Sequence, residues 1–312
     1  MIPFINVGLP WPIGTFGLMV AVALLVSAYV LQAEFDRRRP QLEKIRGYRG
    51  QKDEGFLIIG IAGIAGLVGA RLYHVLESPT EFFANPGAQI FSRYGFAWFG
   101  GFLGGFVALF ILARWMKVPV LEFFDICSPA SCVGYAIGRI GCLLSGDGDY
   151  GMPTSLPWGM SFPNGVVPTT QRVHPTPIYE FFIWLAIAAF LWHMGTKSLR
   201  GPKAKGEIFA NYLIITGIAR FLIEIIRINP RSFFGLSNAQ AASVFSILAG
   251  AVLLWRLKSR FHALKKEHRI VEHIAEQGDV LQQEYHKPTP ECPHPERWHM
   301  YCLLYTSPSP RD

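Results

Sequence analysis

Apolar positions gather into seven long runs, at roughly 13–33, 55–76, 96–115, 120–144, 176–195, 207–228 and 236–256. Each is close to the ~20 residues a helix needs to cross the hydrocarbon of a bilayer. The pattern predicts an all-α polytopic membrane protein with seven transmembrane helices, and an odd number of spans puts the two ends on opposite sides. No basic segment precedes the first run, which is therefore read as a retained span and not as a cleaved signal peptide.

The polar positions between the runs orient the bundle. Arg37, Arg38, Arg39, Lys44, Arg46, Arg49 and Lys52 follow the first run, and Arg114 and Lys117 the third. Lys197, Arg200, Lys203 and Lys205 follow the fifth, and Arg256, Lys258, Arg260, Lys265 and Lys266 the seventh. The alternate connections hold only Arg93, Arg172, Arg227 and Arg231. The positive-inside bias thus predicts an N-terminus outside and a cytoplasmic C-terminus. The net charge of +7 reports this bias; it does not call for a nucleic-acid partner.

Only 16% of the residues are charged and 51% are apolar, which excludes an ordinary soluble domain with about 25% charged residues. Five cysteines without regular spacing do not make a disulfide framework. Gly60, Gly63, Gly66 and Gly69 in the second run, and Gly100, Gly101, Gly104 and Gly105 in the third, are spaced for close helix packing. No internal repeat of the kind found in inverted-repeat transporters is present. The chain divides into a seven-helix catalytic domain over 1–260, with a long outer loop over 145–175, and a charged cytoplasmic tail over 261–301. The final stretch, 302–312, resembles a translated sequencing adaptor. Cys292, His294, His299 and Cys302 are too closely spaced to match known zinc layouts well, so no metal is expected.

The stretch Gly138–Gly151 sets Arg139, Asp147 and Asp149 at the end of an apolar run, where a guanidinium is costly unless something anionic meets it. Counting the helix rise places Arg71, Arg139, Arg220 and Glu224 about 20–28 Å above the inner end of their spans, and Glu180 just below the outer surface. Five ionisable groups on four helices therefore share the outer half of the bilayer, and the inner half holds almost none. Arg220, Glu224 and Arg227 fall on one helix face. A structural ion pair suffices for Glu224 with an arginine, and snorkelling for Arg227. Positive charge is in slight excess, and a lipid phosphate held by bidentate hydrogen bonds would balance it. His174, Tyr179 and Glu180 place a base, a hydroxyl and an acid at the mouth of this region.

Several motifs together resemble the prolipoprotein diacylglyceryl transferase family: Gly-Ala-Arg71, Gly100-Gly101, Gly-Arg139-Ile-Gly, His174-Pro-Thr-Pro-Ile-Tyr179-Glu180 and Arg220-Phe-Leu-Ile-Glu224-Ile-Ile-Arg227. They recur in order over about residues 10–257. The resemblance implies transfer of diacylglycerol from phosphatidylglycerol to the lipobox cysteine of a prolipoprotein signal peptide, at the outer leaflet of a bacterial inner membrane, without a cofactor. Phe99 stands where the family commonly has histidine, and Phe16 where it has tyrosine. Cys142 and Ser145 replace asparagines, and the usual glutamate falls at Asp147 or Asp149.

The candidate catalytic residues are Arg139, Arg220, His174, Asp147 and Asp149. The substrate-binding candidates are Arg139, Arg71, Glu224, Glu180, Tyr179, Gly100, Gly101 and Gly151. Cys142 is assigned to packing. A retinal protein is excluded, because the seventh run has no lysine to form a Schiff base. A transporter of an anionic lipid and a family member with altered activity are the competing readings.

Overall fold

The computed structural model describes residues 3–5, 13–77, 87, 98–199, 204–231 and 235–285, with backbone alone at Ile13, Trp98, His262 and 264–285. Within them the apolar runs form α1 (Thr15–Leu42), α2 (Glu54–Glu77), α3 (Trp98–Trp115), α4 (Val120–Ser145), α5 (Thr176–Ser198), α6 (Glu207–Ile226) and α7 (Asn238–Tyr285). Six are long and apolar enough to cross a membrane, α7 through its segment Asn238–Phe261. The apolar part of α3, Phe99–Trp115, falls short of that length. Leu67, Leu76, Phe102, Phe182, Leu222 and Phe245 are all more than half exposed. Such a surface requires hydrocarbon as its solvent, and the protein is an all-α polytopic membrane protein.

The chain divides into two compact units, Met1–Ser259 and Arg260–Asp312, and the packed helices and their charged groups belong to the first. Arg93, Arg200, Lys203, the Cys292–Cys302 group and the stretch 302–312 lie outside the described residues.

Helix α4 packs against α1, α5 and α6, while α2 packs against α1 and α3. Glycine sets the α2–α3 contact. A Cβ on Gly100 would collide with the carbonyl oxygen of Gly69, and one on Gly69 would lie 3.1 Å from the Cα of Gly104. Gly100→Val is therefore expected to force the helices apart and lower stability by about 1–3 kcal/mol. Thermal unfolding in detergent measures this against Gly60→Ala, where a Cβ meets nothing within 4 Å. An equal effect of the two would show that the close approach is not what these glycines provide.

Helix α1 continues nine residues beyond the apolar run, and this extension carries a second set of buried charges at the end away from Arg139. Glu34 is fully buried and pairs with Arg37 and Arg38 within its own helix. Arg37 also stacks on Trp192 of α5, its guanidinium carbon 4.1 Å from the ring centre. Glu54 opens α2 and accepts hydrogen bonds from Tyr48 at 2.5 Å and Arg39 at 2.8 Å. A hydropathy count ends at these charges because it cannot register that they neutralise one another one turn apart. Nearby, Asp125 of α4 accepts from the N–H groups of Gly206 at 2.6 Å and Phe209 at 2.7 Å, so a side chain from another helix satisfies the open first turn of α6.

At the opposite end α4 stops at Gly146, which takes a left-handed φ of 63° and returns its N–H to the Cys142 carbonyl at 2.9 Å. The α4–α5 loop is folded. Strands β3 (Met160–Phe162) and β4 (Thr169–Val173) pair antiparallel, with Met160 opposite Val173 and an irregularity before Phe162 opposite Thr169. Tyr150 stacks on Phe162 with ring centres 4.1 Å apart, and its hydroxyl donates to the Val167 carbonyl at 2.8 Å. A small hairpin, β1 (Phe4–Ile5) with β2 (Ile13–Gly14), precedes α1.

Candidate functional site

Three helices and the α4–α5 loop bring their charges to one place. Helix α4 supplies Tyr135 and Arg139, four residues apart and so on one face; α5 supplies Glu180 near its start, and α6 supplies Arg220 and Glu224 near its end. Glu180 is fully buried at the centre. Its Oε1 accepts from Arg220 Nη1 at 2.5 Å and from the Tyr135 hydroxyl at 2.9 Å, while its Oε2 pairs with Arg139. Glu224 accepts from Ser237 at 2.9 Å and from Asn229, and lies 3.2 Å from Arg220.

Arg227 completes the group. Helix α6 ends at Ile226, and Arg227 takes an extended conformation, φ −83° and ψ 150°. Its backbone bridges to Gly151, and its side chain, only 6% exposed, pairs with Asp149 and lies 3.6 Å from Glu224 and 3.8 Å from Glu180. Arg227 therefore does not snorkel to an interface; leaving the helical path turns it inward.

The loop closes the cluster. One oxygen of Asp149 accepts from Arg139 Nη1 at 2.5 Å and the other from Arg227. The Asp149 carbonyl accepts from the Thr176 hydroxyl at 2.6 Å, and the Gly151 N–H donates to the His174 carbonyl at 2.9 Å. A Cβ on Gly151 would lie 2.7 Å from that of His174 and 2.8 Å from the Ile226 carbonyl oxygen, so only glycine allows loop and helix end to approach this closely. Arg139, Arg220 and Arg227 thus face Asp149, Glu180 and Glu224, three guanidiniums against three carboxylates. The excess of positive charge expected from the sequence is cancelled within the site.

The sequence model of the family described as prolipoprotein diacylglyceryl transferase matches residues 4–256. The chain belongs to the prolipoprotein diacylglyceryl transferase family. It is 31% identical over 238 residues to a phosphatidylglycerol–prolipoprotein diacylglyceryl transferase of Clostridium tetani, covering 75% of this chain and 89% of that protein. A protein of the same name from Cupriavidus pinatubonensis is 32% identical over 260 residues, covering 80% and 89% respectively. One from Leifsonia xyli is 30% identical over 276 residues, covering 81% of this chain and 77% of its own.

Within this diacylglyceryl transferase homologue the other candidates are distributed unevenly. Half-buried His174 faces the Tyr179 hydroxyl through Nδ1 at 3.3 Å, and that hydroxyl accepts from Trp158 Nε1 at 2.7 Å. Arg71 is half-buried on α2, whose packing neighbours are α1 and α3. Gly100 and Gly101 face α2, where a Cβ on Gly101 would lie 3.5 Å from that of Ala70. Tyr135, absent from the sequence candidates, both donates to Glu180 and lies under Arg139, whose guanidinium carbon is 5.7 Å from its ring centre. The available signal was its place one turn before Arg139.

Burial raises the carboxyl of Asp147 above its ordinary range, with the Cys142 thiol its hydrogen-bond partner. Burial works against ionisation of Asp149 as well, but Arg139 and Arg227 outweigh it and hold that carboxyl below the ordinary range. The ligating atoms of Cys142, Asp147 and Asp149 lie within 4.8 Å of one another. Both Asp149 oxygens are taken by arginines, and Arg139 stands beside the thiol at 3.5 Å. This setting opposes a cation.

Because the folded pKa of Asp149 is lowered, its stabilising contribution is complete above the ordinary aspartate value of about 4 and is lost as pH falls through the lower folded value. The melting-temperature gap between wild type and Asp149→Asn is expected to shrink as pH drops from 7 toward 3. A gap that stays constant would show that the ion pairs with Arg139 and Arg227 contribute nothing.

Proposed function

We propose that the protein transfers the diacylglyceryl group of phosphatidylglycerol to the cysteine thiol of a prolipoprotein lipobox, with the Arg139 end of the bundle at the outer leaflet of a bacterial inner membrane. The observation that carries this reading is the convergence of Arg139, Arg220 and Arg227 at one level of a helix bundle. Paired guanidiniums in a largely buried site suit a phosphodiester, through fork-like donors and a lowered local dielectric. The distribution of basic loops supports an outside N-terminus and a cytoplasmic C-terminus.

In the reaction the thiolate attacks the glycerol carbon that bears the phosphate. A carbon–sulfur bond forms, the carbon–oxygen bond breaks, and its electron pair leaves on glycerol phosphate. The protein supplies no nucleophile. Arg139 and Arg220 hold the phosphate and stabilise the charge that grows on it, Arg227 adds a third donor, and Glu180 and Glu224 orient the guanidiniums. The thiol, with a reference pKa of about 8.5, must lose its proton. Asp149, doubly paired with arginine, is the poorest base of the three candidates; Asp147 and His174 are the better ones.

The test is purified protein with labelled phosphatidylglycerol and a lipobox peptide, together with complementation of a strain depleted of its transferase. A thioether-linked glyceride on the peptide is expected. A lipid carrier without chemistry would bind phosphatidylglycerol and leave the peptide unmodified, and that result would reject transferase activity. Reporter fusions at the C-terminus test the orientation, which periplasmic signal would overturn.

A further inference from the structure

Three guanidiniums already meet three carboxylates, and a phosphodiester brings a further negative charge into a poorly solvated place. One carboxylate must give way, since a second anion against the same donors is opposed by like-charge repulsion at low dielectric.

The three carboxylates are not equivalent. The side chains of Glu180 and Glu224 are 0% and 1% exposed and stand on membrane helices, whereas that of Asp149 is 32% exposed and belongs to the loop. Glu180 also holds Tyr135, and Glu224 holds Ser237 and Asn229. The Asp149 side chain has arginine partners alone, apart from its own loop. It gives one oxygen to each of two guanidiniums from different elements, as two non-ester oxygens of a phosphodiester would. Its backbone is fixed by Thr176, and the next residue but one by His174. Moving the carboxylate therefore requires only side-chain rotation toward solvent that it already touches. Donor capacity remains for a larger anion: Nε of Arg139 is buried without a hydrogen-bond partner, and Nε and Nη1 of Arg227 stand 3.6 Å from Glu224 and 3.8 Å from Glu180, beyond hydrogen-bond reach.

We infer that Asp149 is an internal counter-anion that occupies the phosphate position before substrate binds, keeps Arg139 and Arg227 aligned there, and swings out when the phosphodiester of the lipid binds. It is thus a positioning residue that competes with substrate. This rests on the phosphatidylglycerol reading above. The same displacement would admit any phosphodiester or phosphate monoester of suitable size, so a soluble anion is included in the test.

Binding of dioctanoyl phosphatidylglycerol, and separately of glycerol phosphate, is measured for wild type, Asp149→Asn and Arg139→Ala in detergent. Asp149→Asn keeps the side-chain shape and removes the competing charge. It is expected to bind the lipid about tenfold more tightly and to lower KM by a similar factor, as fits the loss of competing charged hydrogen bonds. Glycerol phosphate binding should tighten in parallel, because the gain lies in the shared phosphate; an unchanged soluble anion alongside a tighter lipid would refute the displacement. Weaker or unchanged lipid binding by Asp149→Asn, with normal binding by wild type, overturns the counter-anion role alone. If wild type shows no saturable binding of either ligand, the phosphatidylglycerol reading fails and this inference falls with it. Wild-type protein gives an independent readout that needs no variant to fold: carbodiimide labelling of Asp149 should increase on adding the lipid. Protection would mean that the carboxylate stays with its arginines, and would reject the inference.

Discussion

Arg139→Ala is expected to lower transfer at least ~10³-fold while leaving a folded, membrane-inserted protein. The magnitude follows from removing a preorganised charged donor from the place where leaving-group charge develops. The fold should survive because Glu180 keeps Arg220 and Tyr135, and Asp149 keeps Arg227. Arg139→Lys should recover little, since a single ammonium cannot hold Glu180 and a phosphate together as a planar guanidinium fork does. Turnover of labelled phosphatidylglycerol, compared with thermal unfolding of the same preparations, separates the two effects. Near-normal turnover by the alanine variant would remove Arg139 from the site.

Glu180→Gln should have the opposite balance, with a large loss of stability accompanying the loss of activity. The fully buried carboxylate is the shared partner of Arg139 and Arg220 and lies within 4 Å of Arg227. Glutamine keeps an acceptor for the Tyr135 hydroxyl and removes the charge, so guanidiniums from different elements remain buried with less compensation. Breaking one side of a buried ion pair costs about 3–5 kcal/mol. The variant should unfold at clearly lower temperature in detergent and lose transfer about 100-fold or more. A double-mutant cycle with Arg220→Gln isolates the coupling. If Glu180→Gln unfolds as wild type does, the network is not a stabilising unit.

Much of this site is legible in the residue spacing alone. The four-and-three spacing of Arg220, Glu224 and Arg227 puts them on one face, and counting helix rise brings Arg139 to the level of Arg220 and Glu224. Depth along α4 does not distinguish which loop aspartate meets Arg139, because Asp147 and Asp149 are both acidic, two residues apart and outside any regular element. Nor does it turn Arg227 inward, since that depends on α6 ending one residue earlier and on the bridge to Gly151. Tyr135 was hidden for a different reason: an aromatic residue in an apolar span is, by composition, simply packing. At the other end, Glu34 and its two arginines read as a loop because hydropathy sums charges without pairing them. The α4–α5 loop gave no strand signal, its two short strands lying among glycine and proline.

The reach of Asp125 to the first turn of α6 has a mechanical consequence. Asp125 and Arg139 are fourteen residues apart on α4, about 21 Å of helix, and through Glu180 the second is tied to Arg220 of α6. Two helices joined at both ends of such a length cannot slide past each other. A bilayer thinner or thicker than their apolar span must therefore be met by tilting the pair as a body, so membrane thickness alters the angle at which the arginines meet the headgroup layer and leaves their mutual spacing unchanged.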